Sequence, residues 1–334
     1  MNKKGTMSAK QAVKKLFSEY SYVVSFVLVL IIAVAVNPNF FKWRNITSIF
    51  VQSASTTGLI ALGMTMVICA GQIDISVGAQ VAIISGFGIE ILNLTHNIWI
   101  MLLFCLAMGA AIGTFNGLLV AKGRMPAMIA TLAVQTSCRA IINHFGQGGP
   151  FSVAEGISTE PYYQTFRQVA AGSIKIFGYK IPYPMILFIV MAIIFGLIMR
   201  RTRLGKHVYA VGSNETSARL AGINVDLTKI AVFTITGLLC GLSAWVYSSR
   251  VMAVAAASAG NQFEMDAIAA VAIGGASMSG GRGKIIGTFL GVLMFKMINN
   301  ILVAAQVPTF LNGAISGAII IIAVLLQSAR GKKK

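Results

Sequence analysis

The chain has 334 residues, of which 56% are hydrophobic and only 11% charged, and its mean hydropathy is +0.79. A soluble domain carries about 25% charged residues, so this composition excludes an ordinary soluble domain and predicts a surface that faces lipid. The formal charge of +18 does not indicate nucleic acid as a partner, because the basic residues lie mostly in loops between apolar runs.

The apolar runs predict an all-α polytopic membrane protein with about ten transmembrane helices in one transmembrane domain, residues 1–334. We number the predicted helices one to ten in chain order. They cover residues 20–36, 46–70, 76–93, 98–121, 126–142, 183–200, 229–249, 266–278, 285–304 and 310–327.

The basic residues predict how the chain lies in the membrane. They are concentrated in the N-terminal tail 1–19, in the C-terminal tail 328–334 and in the loops after helices four, six and eight. The positive-inside rule then places both termini in the cytoplasm. Two connections are long enough to predict ordered docking surfaces: residues 143–182 outside, and residues 200–228 inside. A floppy outer loop and a solvated inner loop are the alternatives.

Two glycine-rich segments predict an internal repeat. GAAIGTFNGLLVAK (109–122) lies on helix four and GKIIGTFLGVLMFK (283–296) on helix nine, and these helices run in opposite directions. The match therefore predicts an inverted repeat of helices two to five and seven to ten, with Asp74 and Asp266 each opening a partner helix. Chance similarity between glycine-rich helices is the alternative. The glycines that recur at intervals of four predict close helix packing; they are Gly109, Gly113, Gly117, Gly283, Gly287 and Gly291.

Asp74, in GQIDISVG, is a carboxylate between two apolar runs. A charge at the bilayer centre costs about 2.5–3.5 kcal/mol on insertion scales. A break at Gly71 reduces that cost if Asp74, assisted by Ser76, caps helix three. The residues leave two compatible roles open, a structural cap and a polar gate beside a path. Lys296 is expected to extend toward the outer interface.

No sequence pattern predicts catalysis, a cofactor or a metal site. GGASMSGGRGK (274–284) fails as a phosphate-binding loop, because Met278 stands where its first glycine belongs and Ile285 follows Lys284. The histidines and cysteines show no catalytic or metal-ligand spacing. The chain is therefore expected not to be an enzyme.

Residues 215–221 predict a short helix that Asn214 caps and Gly222 ends. A helix of this length is not stable alone in water, so it is expected to bind a partner groove. Ala218, Leu220 and Ile223 would supply apolar contact, with charge from Glu215 and Arg219 at the rim.

Three segments resemble the permease subunit of bacterial ABC importers of the ribose and simple-sugar branch. They are ALGMTMVICAGQIDISVGA (61–79), LGKHVYAVGSNETSARLAGINV (204–225) and DAIAAVAIGGASMSGGRGKIIGTFLG (266–291), and their order and spacing carry the resemblance across nearly the whole chain. Gln72 and Thr216–Ser217 depart from the family pattern.

The resemblance implies a type II ABC importer-like fold in a bacterial plasma membrane. It implies a path for a monosaccharide built from two permease chains, a soluble sugar-binding protein outside, and two ATP-binding subunits inside that carry the ATP and Mg²⁺ chemistry. It also implies roles for two residue sets. The coupling set is Gly205, Asn214, Glu215, Ala218, Arg219, Leu220, Gly222 and Ile223. The path and gate set is Gly71, Gln72, Asp74, Ser76, Asp266, Gly274, Gly275 and Ser277.

An ion- or proton-coupled secondary transporter is the rival interpretation. It requires a carboxylate in the membrane that titrates during transport, and Asp74 is the best candidate for that role.

Overall fold

The computed structural model describes residues 21–154 and 160–308, together with positions 311, 313–315, 317, 318 and 321. The helices are α1 (Ser21–Val36), α2 (Trp43–Ser55), α3 (Thr57–Cys69), α4 (Val77–Thr95), α5 (Ile98–Ala121), α6 (Ala127–Gly146), α7 (Pro161–Ala171), α8 (Tyr183–Arg201), α9 (Arg203–Ser213), α10 (Glu215–Leu220), α11 (Val225–Val251), α12 (Phe263–Ile273) and α13 (Ile285–Ala304). The short strands are β1 (Pro150–Ser152), β2 (Ser173–Ile176), β3 (Tyr179–Pro182) and β4 (Ala253–Ala255).

Membrane-spanning length and apolarity are found in five helices of the described part, namely α4, α5, α8, α11 and α13. The number becomes six if the bent pair α2 and α3 counts as one span. The chain is therefore a mostly helical, multi-pass membrane protein. Most of predicted helix ten, residues 310–327, lies outside the described residues.

Helix two is predicted as one continuous span, and the structure corrects this. The chain bends by 52° between α2 and α3, at Thr56, whose φ and ψ are −129° and −101°. The hydroxyls of Ser53, Ser55 and Thr56 each donate to the carbonyl four residues earlier. This back-bonding bends helices because the side chain competes for the backbone acceptor. It also satisfies polar groups at the break without water.

Helix eight is predicted over 266–278, whereas α12 runs from Phe263 to Ile273. Gly275 adopts a φ of +84°, the left-handed conformation that commonly ends a helix. The 11 residues of α12 rise only about 16 Å, roughly half of a hydrocarbon core. Apolar composition alone does not reveal such a stop, because glycine is also frequent within membrane helices.

The helices surround α3, whose thirteen residues are all buried. The most extensive helix pair is α5 with α11. Helix seven is predicted from residue 229, but α11 begins at Val225 because Asn224 accepts a hydrogen bond from the Leu227 N–H.

The bundle has two distinct ends. At the first, which we call the α10 end, α3 and α5 finish and α11 and α13 begin. Cys69 O there accepts from the Gly281 N–H, and Lys122 pairs with Asp226. At the opposite end, which we call the hairpin end, strands β2 and β3 form an antiparallel hairpin. The described residues of the predicted outer loop, 143–154 and 160–182, lie at the hairpin end and include β1, α7 and this hairpin. Strand β1 pairs with β4.

Candidate functional site

Asp74 is fully buried at the start of α4. Its Oδ1 accepts hydrogen bonds from the backbone N–H of Ser76 at 2.9 Å and from the Ser76 hydroxyl at 2.6 Å. Ser76, not Asp74, occupies the cap position of α4, and it makes no side-chain cap hydrogen bond. Asp74 therefore does not cap α4 as predicted; instead it closes a turn by accepting hydrogen bonds from Ser76, two residues later.

The Ser76 hydroxyl is the hub of a buried polar cluster. It accepts from the side-chain amides of Gln80 and Asn116, each at 2.8 Å. Asn116 lies on α5, so the cluster ties the loop before α4 to a neighbouring helix. Sequence reasoning missed Gln80 and Asn116; the available signal was an amide within an apolar run.

Two acceptors of this cluster, Gln80 Oε1 and Asn116 Oδ1, receive no hydrogen bond from any described residue. Buried acceptors are costly to leave unpaired. The cluster lies near the α10 end, since Asn116 is in the last two turns of α5.

Gly71 and Gln72 lie in the turn that leads from α3 to Asp74. Gly71 has a φ of +77°, a backbone conformation that glycine adopts without steric cost. Gln72 is half-buried and lines a cleft of about 640 Å³ together with Glu215, Arg219, Asp226 and Lys229. One wall of this cleft is therefore the turn beside Asp74, and another wall is α10.

The short helix α10 begins at Glu215, as the sequence predicts. Asn214 Oδ1 accepts from the Ser217 N–H at 2.8 Å, and Gly222 has a φ of +78°. Ala218 differs from the prediction, because it is buried in its own chain against Val211 and Val225. Ile223 is also partly buried there. Leu220, which is 86% exposed, remains as the apolar side chain that α10 presents outward.

Ion pairs hold α10 on the bundle. Glu215 Oε2 contacts Lys229 Nζ at 2.8 Å, and Arg219 pairs with Asp226, which lies 3.8 Å from Lys122 Nζ. The nearby Lys229 ammonium lowers the pKa of the Glu215 carboxyl, so Glu215 is ionised at neutral pH. The network joins α10 to the first turns of α11 and to the end of α5.

Three backbone segments meet at a point that we call the glycine junction, formed by Gly71, Gly212, Gly280 and Gly281. A Cβ on Gly212 would lie 1.9 Å from Cys69 O and 2.7 Å from Gly281 N, and one on Gly280 would lie 2.9 Å from Gly71 Cα. Only glycine permits this approach. Sequence reasoning missed Gly212, because the contact joins residues far apart in the chain.

Two further contacts fix α9 beside this junction. The Tyr209 hydroxyl donates to Gly283 O at 2.7 Å, and burial raises the pKa of Tyr209 to about 12. Gly205 lies against the end of α8, where a Cβ would be 2.3 Å from Met199 O. The segment before α10 is thus packed on both sides.

Asp266 lies apart from Asp74, on the first turn of α12. Its Oδ2 is 3.7 Å from Lys296 Nζ, and Lys296 is only 8% exposed. The prediction that Lys296 extends to the interface is therefore wrong. An uncompensated buried charge is costly, and the partner carboxylate on α12 keeps the ammonium inside.

The remaining predicted gate residues form a turn. Ser277 donates its N–H to Arg282 O at 2.8 Å and closes the segment 277–282. Gly274 lies against the backbone of Gly287, because a Cβ on Gly274 would be only 2.5 Å from the Gly287 carbonyl oxygen. This segment brings Gly280 and Gly281 to the glycine junction.

The six packing glycines all lie against backbone or small side chains of neighbouring elements. Gly109 and Gly113 face α11, where built Cβ atoms would be 2.2 Å from Gly237 O and 2.4 Å from Phe233 O. Gly117 likewise meets Ile230. On α13, Gly287 and Gly291 face α12, and Gly283 faces Cys69 and Ala276.

The two matched segments occupy different parts of their helices. Gly113 lies in the second half of α5, whereas Gly287 lies in the first turn of α13. Both positions are therefore near the α10 end, and a two-fold axis in the membrane plane would not superpose them. The 109–122 and 283–296 register is wrong, because glycine spacing reports close packing at any depth.

Comparisons with known proteins identify the family to which the chain belongs. The family model described as branched-chain amino acid transport system / permease component matches residues 45–324. The ribose import permease protein RbsC of Bacillus subtilis (strain 168) is 38% identical over 304 residues, covering 90% of both chains. RbsC of Escherichia coli (strain K12) is 33% identical over 317 residues, covering 94% of this chain and 95% of that protein.

A xylose transport system permease protein, XylH of Haemophilus influenzae, is 29% identical over 362 residues, covering 92% of this chain and 95% of that protein. No solved structure matches. The family match covers well over half of the chain and includes both the Asp74 turn and α10. The chain belongs to the permease-component family of these transport systems.

Proposed function

We propose that the chain is the membrane-spanning subunit of an ATP-driven importer and forms the path for a monosaccharide, ribose or a similar sugar. Relatives named as ribose and xylose permeases, matched over nearly their full length, support the substrate class. An extracytoplasmic binding protein delivers the sugar. ATP hydrolysis belongs to a separate subunit, so this chain holds no nucleotide.

The observation that carries the proposal is the position of α10. This helix is anchored by ion pairs to α11, yet it exposes Leu220. A short helix with one large exposed apolar side chain fits a groove on a partner. We place the ATP-binding subunit there, with the α10 end and both termini in the cytoplasm.

A route from α10 to the Asp74 turn follows from the contacts. A displacement of α10 moves Gly212 through α9, and Gly212 touches both Cys69 and Gly281. The turn 70–76 and the turn 277–282 would therefore move together. Backbones in contact cannot interpenetrate. Closure of the ATP-binding subunits would therefore displace the Asp74 cluster directly, with no flexible segment in between.

Ten spans in an inverted repeat, paired as helices two to five with seven to ten, belong to the same proposal. Reciprocal contacts support it: α4 contacts α5 and α11, while α12 contacts α13 and α3. The predicted match of Asp74 with Asp266 is not part of this support, because Asp266 pairs with Lys296 about halfway along α13.

The ends of the helices support an alignment of the two repeats that differs from the alignment predicted by the glycine match. Ala121 ends α5 and Ala304 ends α13, a spacing of 183 residues (304 − 121). Trp43 begins α2 and Val225 begins α11, a spacing of 182 (225 − 43). A second permease chain, either another copy of this one or a similar permease, completes the path.

The test replaces Leu220 with serine. Burying a leucine is worth about 1.5–3 kcal/mol, so we expect the ATP-binding subunit to bind at least about tenfold more weakly. The measurement is the affinity of that subunit for the permease in nanodiscs, beside ATP-driven uptake of labelled ribose into liposomes. Leu227→Ser is the matched control, since Leu227 is also exposed but lies on α11.

Two outcomes would overturn the proposal. Equal affinity for Leu220→Ser and the parent chain would remove α10 from the interface. Ribose uptake by this chain alone, driven by an ion gradient without ATP, would establish the secondary-transporter interpretation.

A further inference from the structure

The hairpin β2–β3 has two chemically different faces. Its register pairs Ile174 with Ile181 and Ile176 with Tyr179, so these four side chains share one face. Lys175 and Lys180 are paired directly opposite each other on the other face. The hairpin is therefore amphipathic, with an apolar face and a cationic face.

The apolar face remains open to its surroundings. Ile174, Ile176 and Tyr179 are 45%, 42% and 58% exposed, although Tyr179 packs at a tilt against Trp43, with 5.2 Å between the ring centroids. Phe177, at the tip, is 96% exposed. Phe177 and Gly178 have φ values of +49° and +83°, a turn type that favours asparagine and glycine over an aromatic residue. An exposed aromatic side chain at such a tip indicates that the tip lies in an apolar medium.

The cationic face lacks a counter-ion among the described residues. Like charges directly opposite each other destabilise a strand pair. Two more exposed cations, Lys42 and Arg44, flank Trp43, whose indole donates to Lys180 O at 2.7 Å. None of these four cations forms an ion pair with a described carboxylate. An anion would relieve the repulsion between them.

The position of the hairpin identifies the medium. Strand β3 ends at Pro182 and α8 begins at Tyr183. Helix α8 is a candidate membrane span, and only 22% of its most apolar stretch is buried. Ile193, Ile194 and Leu197 on α8 are exposed, as expected of side chains on a membrane span that face lipid. The hairpin thus continues directly from a lipid-facing span and lies at the level of the headgroups, where tryptophan and tyrosine are also favoured.

We propose that residues 173–182, with Lys42 and Arg44, form a membrane-interface site that binds the headgroup of an anionic phospholipid. The apolar face and Phe177 enter the upper acyl region, and Lys175 and Lys180 extend to the phosphate. Such a site would fix the hairpin end of α8 and α2 at one depth in the bilayer.

The first test measures lipid retention. We expect Lys175→Gln/Lys180→Gln to reduce phosphatidylglycerol retained on the protein by on the order of 30-fold, since each lysine near an anionic surface contributes about fivefold. The measurement is native mass spectrometry after reconstitution in mixed phosphatidylglycerol and phosphatidylcholine. Lys175→Arg/Lys180→Arg keeps the charge and is expected to retain the lipid. Equal retention by the glutamine variant and the parent chain would overturn the proposal.

The second test measures depth. A nitroxide on Phe177→Cys is expected to be more accessible to oxygen than to a water-soluble nickel complex, and a nitroxide on Leu220→Cys the reverse. The four native cysteines are buried, so labelling is selective. A water-exposed signal at position 177 in vesicles would overturn the proposal, and so would protection that appears only when a soluble binding protein is added.

Discussion

At the scale of single residues, Asp74 shows how a carboxylate is held inside an apolar bundle. Its two strongest hydrogen bonds come from Ser76, two residues along the chain. The contact with Asn116 is longer, at 3.5 Å. Oδ1 needs only to accept, so an amide oxygen can replace it in the turn.

We therefore expect Asp74→Asn to keep the turn, whereas Asp74→Ala leaves the Ser76 N–H and hydroxyl without their acceptor. Unpaired buried groups cost about 1–3 kcal/mol each, so Asp74→Ala, which unpairs two of them, should lower the free energy of unfolding by roughly 2–6 kcal/mol. Denaturant titration in detergent, beside ribose uptake, would measure both variants. If Asp74→Asn abolishes transport while leaving stability unchanged, the charge itself is required, as the ion-coupled interpretation demands.

At the scale of elements, the glycine junction explains how a helix outside the bundle can affect a turn inside it. Gly212 ends α9, Gly71 follows α3, and Gly280 and Gly281 follow α12, so three elements share one point. Because glycine has no side chain, the three backbones are in direct contact, with no side chains between them that could repack. Motion of one element is thus expected to displace the other two.

Gly212→Ala tests this contact. A methyl group 1.9 Å from Cys69 O must push α9 away from α3, and overpacking of this kind costs about 1–3 kcal/mol. We expect ATP hydrolysis to continue with sugar uptake reduced, measured in the same proteoliposomes. Gly196→Ala is the control, because nothing lies within 4 Å of a Cβ at Gly196. Unchanged uptake in Gly212→Ala would remove the junction from the coupling route.

At the scale of the whole molecule, the distribution of cations predicts orientation. Lys122, Arg124, Arg201 and Lys206 lie at the α10 end, near the candidate contact for the ATP-binding subunit. The hairpin end also carries cations, but the tails add further positive charge to the cytoplasmic side in the predicted topology.

Thiol labelling in intact cells tests that orientation. We expect Arg167→Cys, on α7 at the hairpin end, to react with a membrane-impermeant maleimide. Ser279→Cys, in the turn at the α10 end, should react only after permeabilisation. Both positions are exposed, and the native cysteines are buried, so the parent chain is the background control. The reverse labelling pattern would invert the topology.

Local patterns in the chain were enough to establish the class of protein and much of its local structure. Apolar runs define membrane helices because lipid demands apolar side chains, and α8 and α13 begin at the predicted residues. Asn214 and Gly222 predicted α10 because caps are local interactions. Asp74 was recognisable as a special residue because a carboxylate in an apolar run is costly.

Which distant residues meet depends on packing between the elements. Asn116 and Gly212 join the candidate site through contacts between helices, and no local pattern encodes such contacts, whereas Gln80 reaches Ser76 four residues away at the start of α4. Lys296 stays buried because α12 brings Asp266 within 3.7 Å. The ends of α2 and α12 likewise depend on hydroxyl back-bonding and on a glycine approach to α13. Long-range packing, which hydropathy does not register, therefore placed the polar groups, and those groups carry the proposed function.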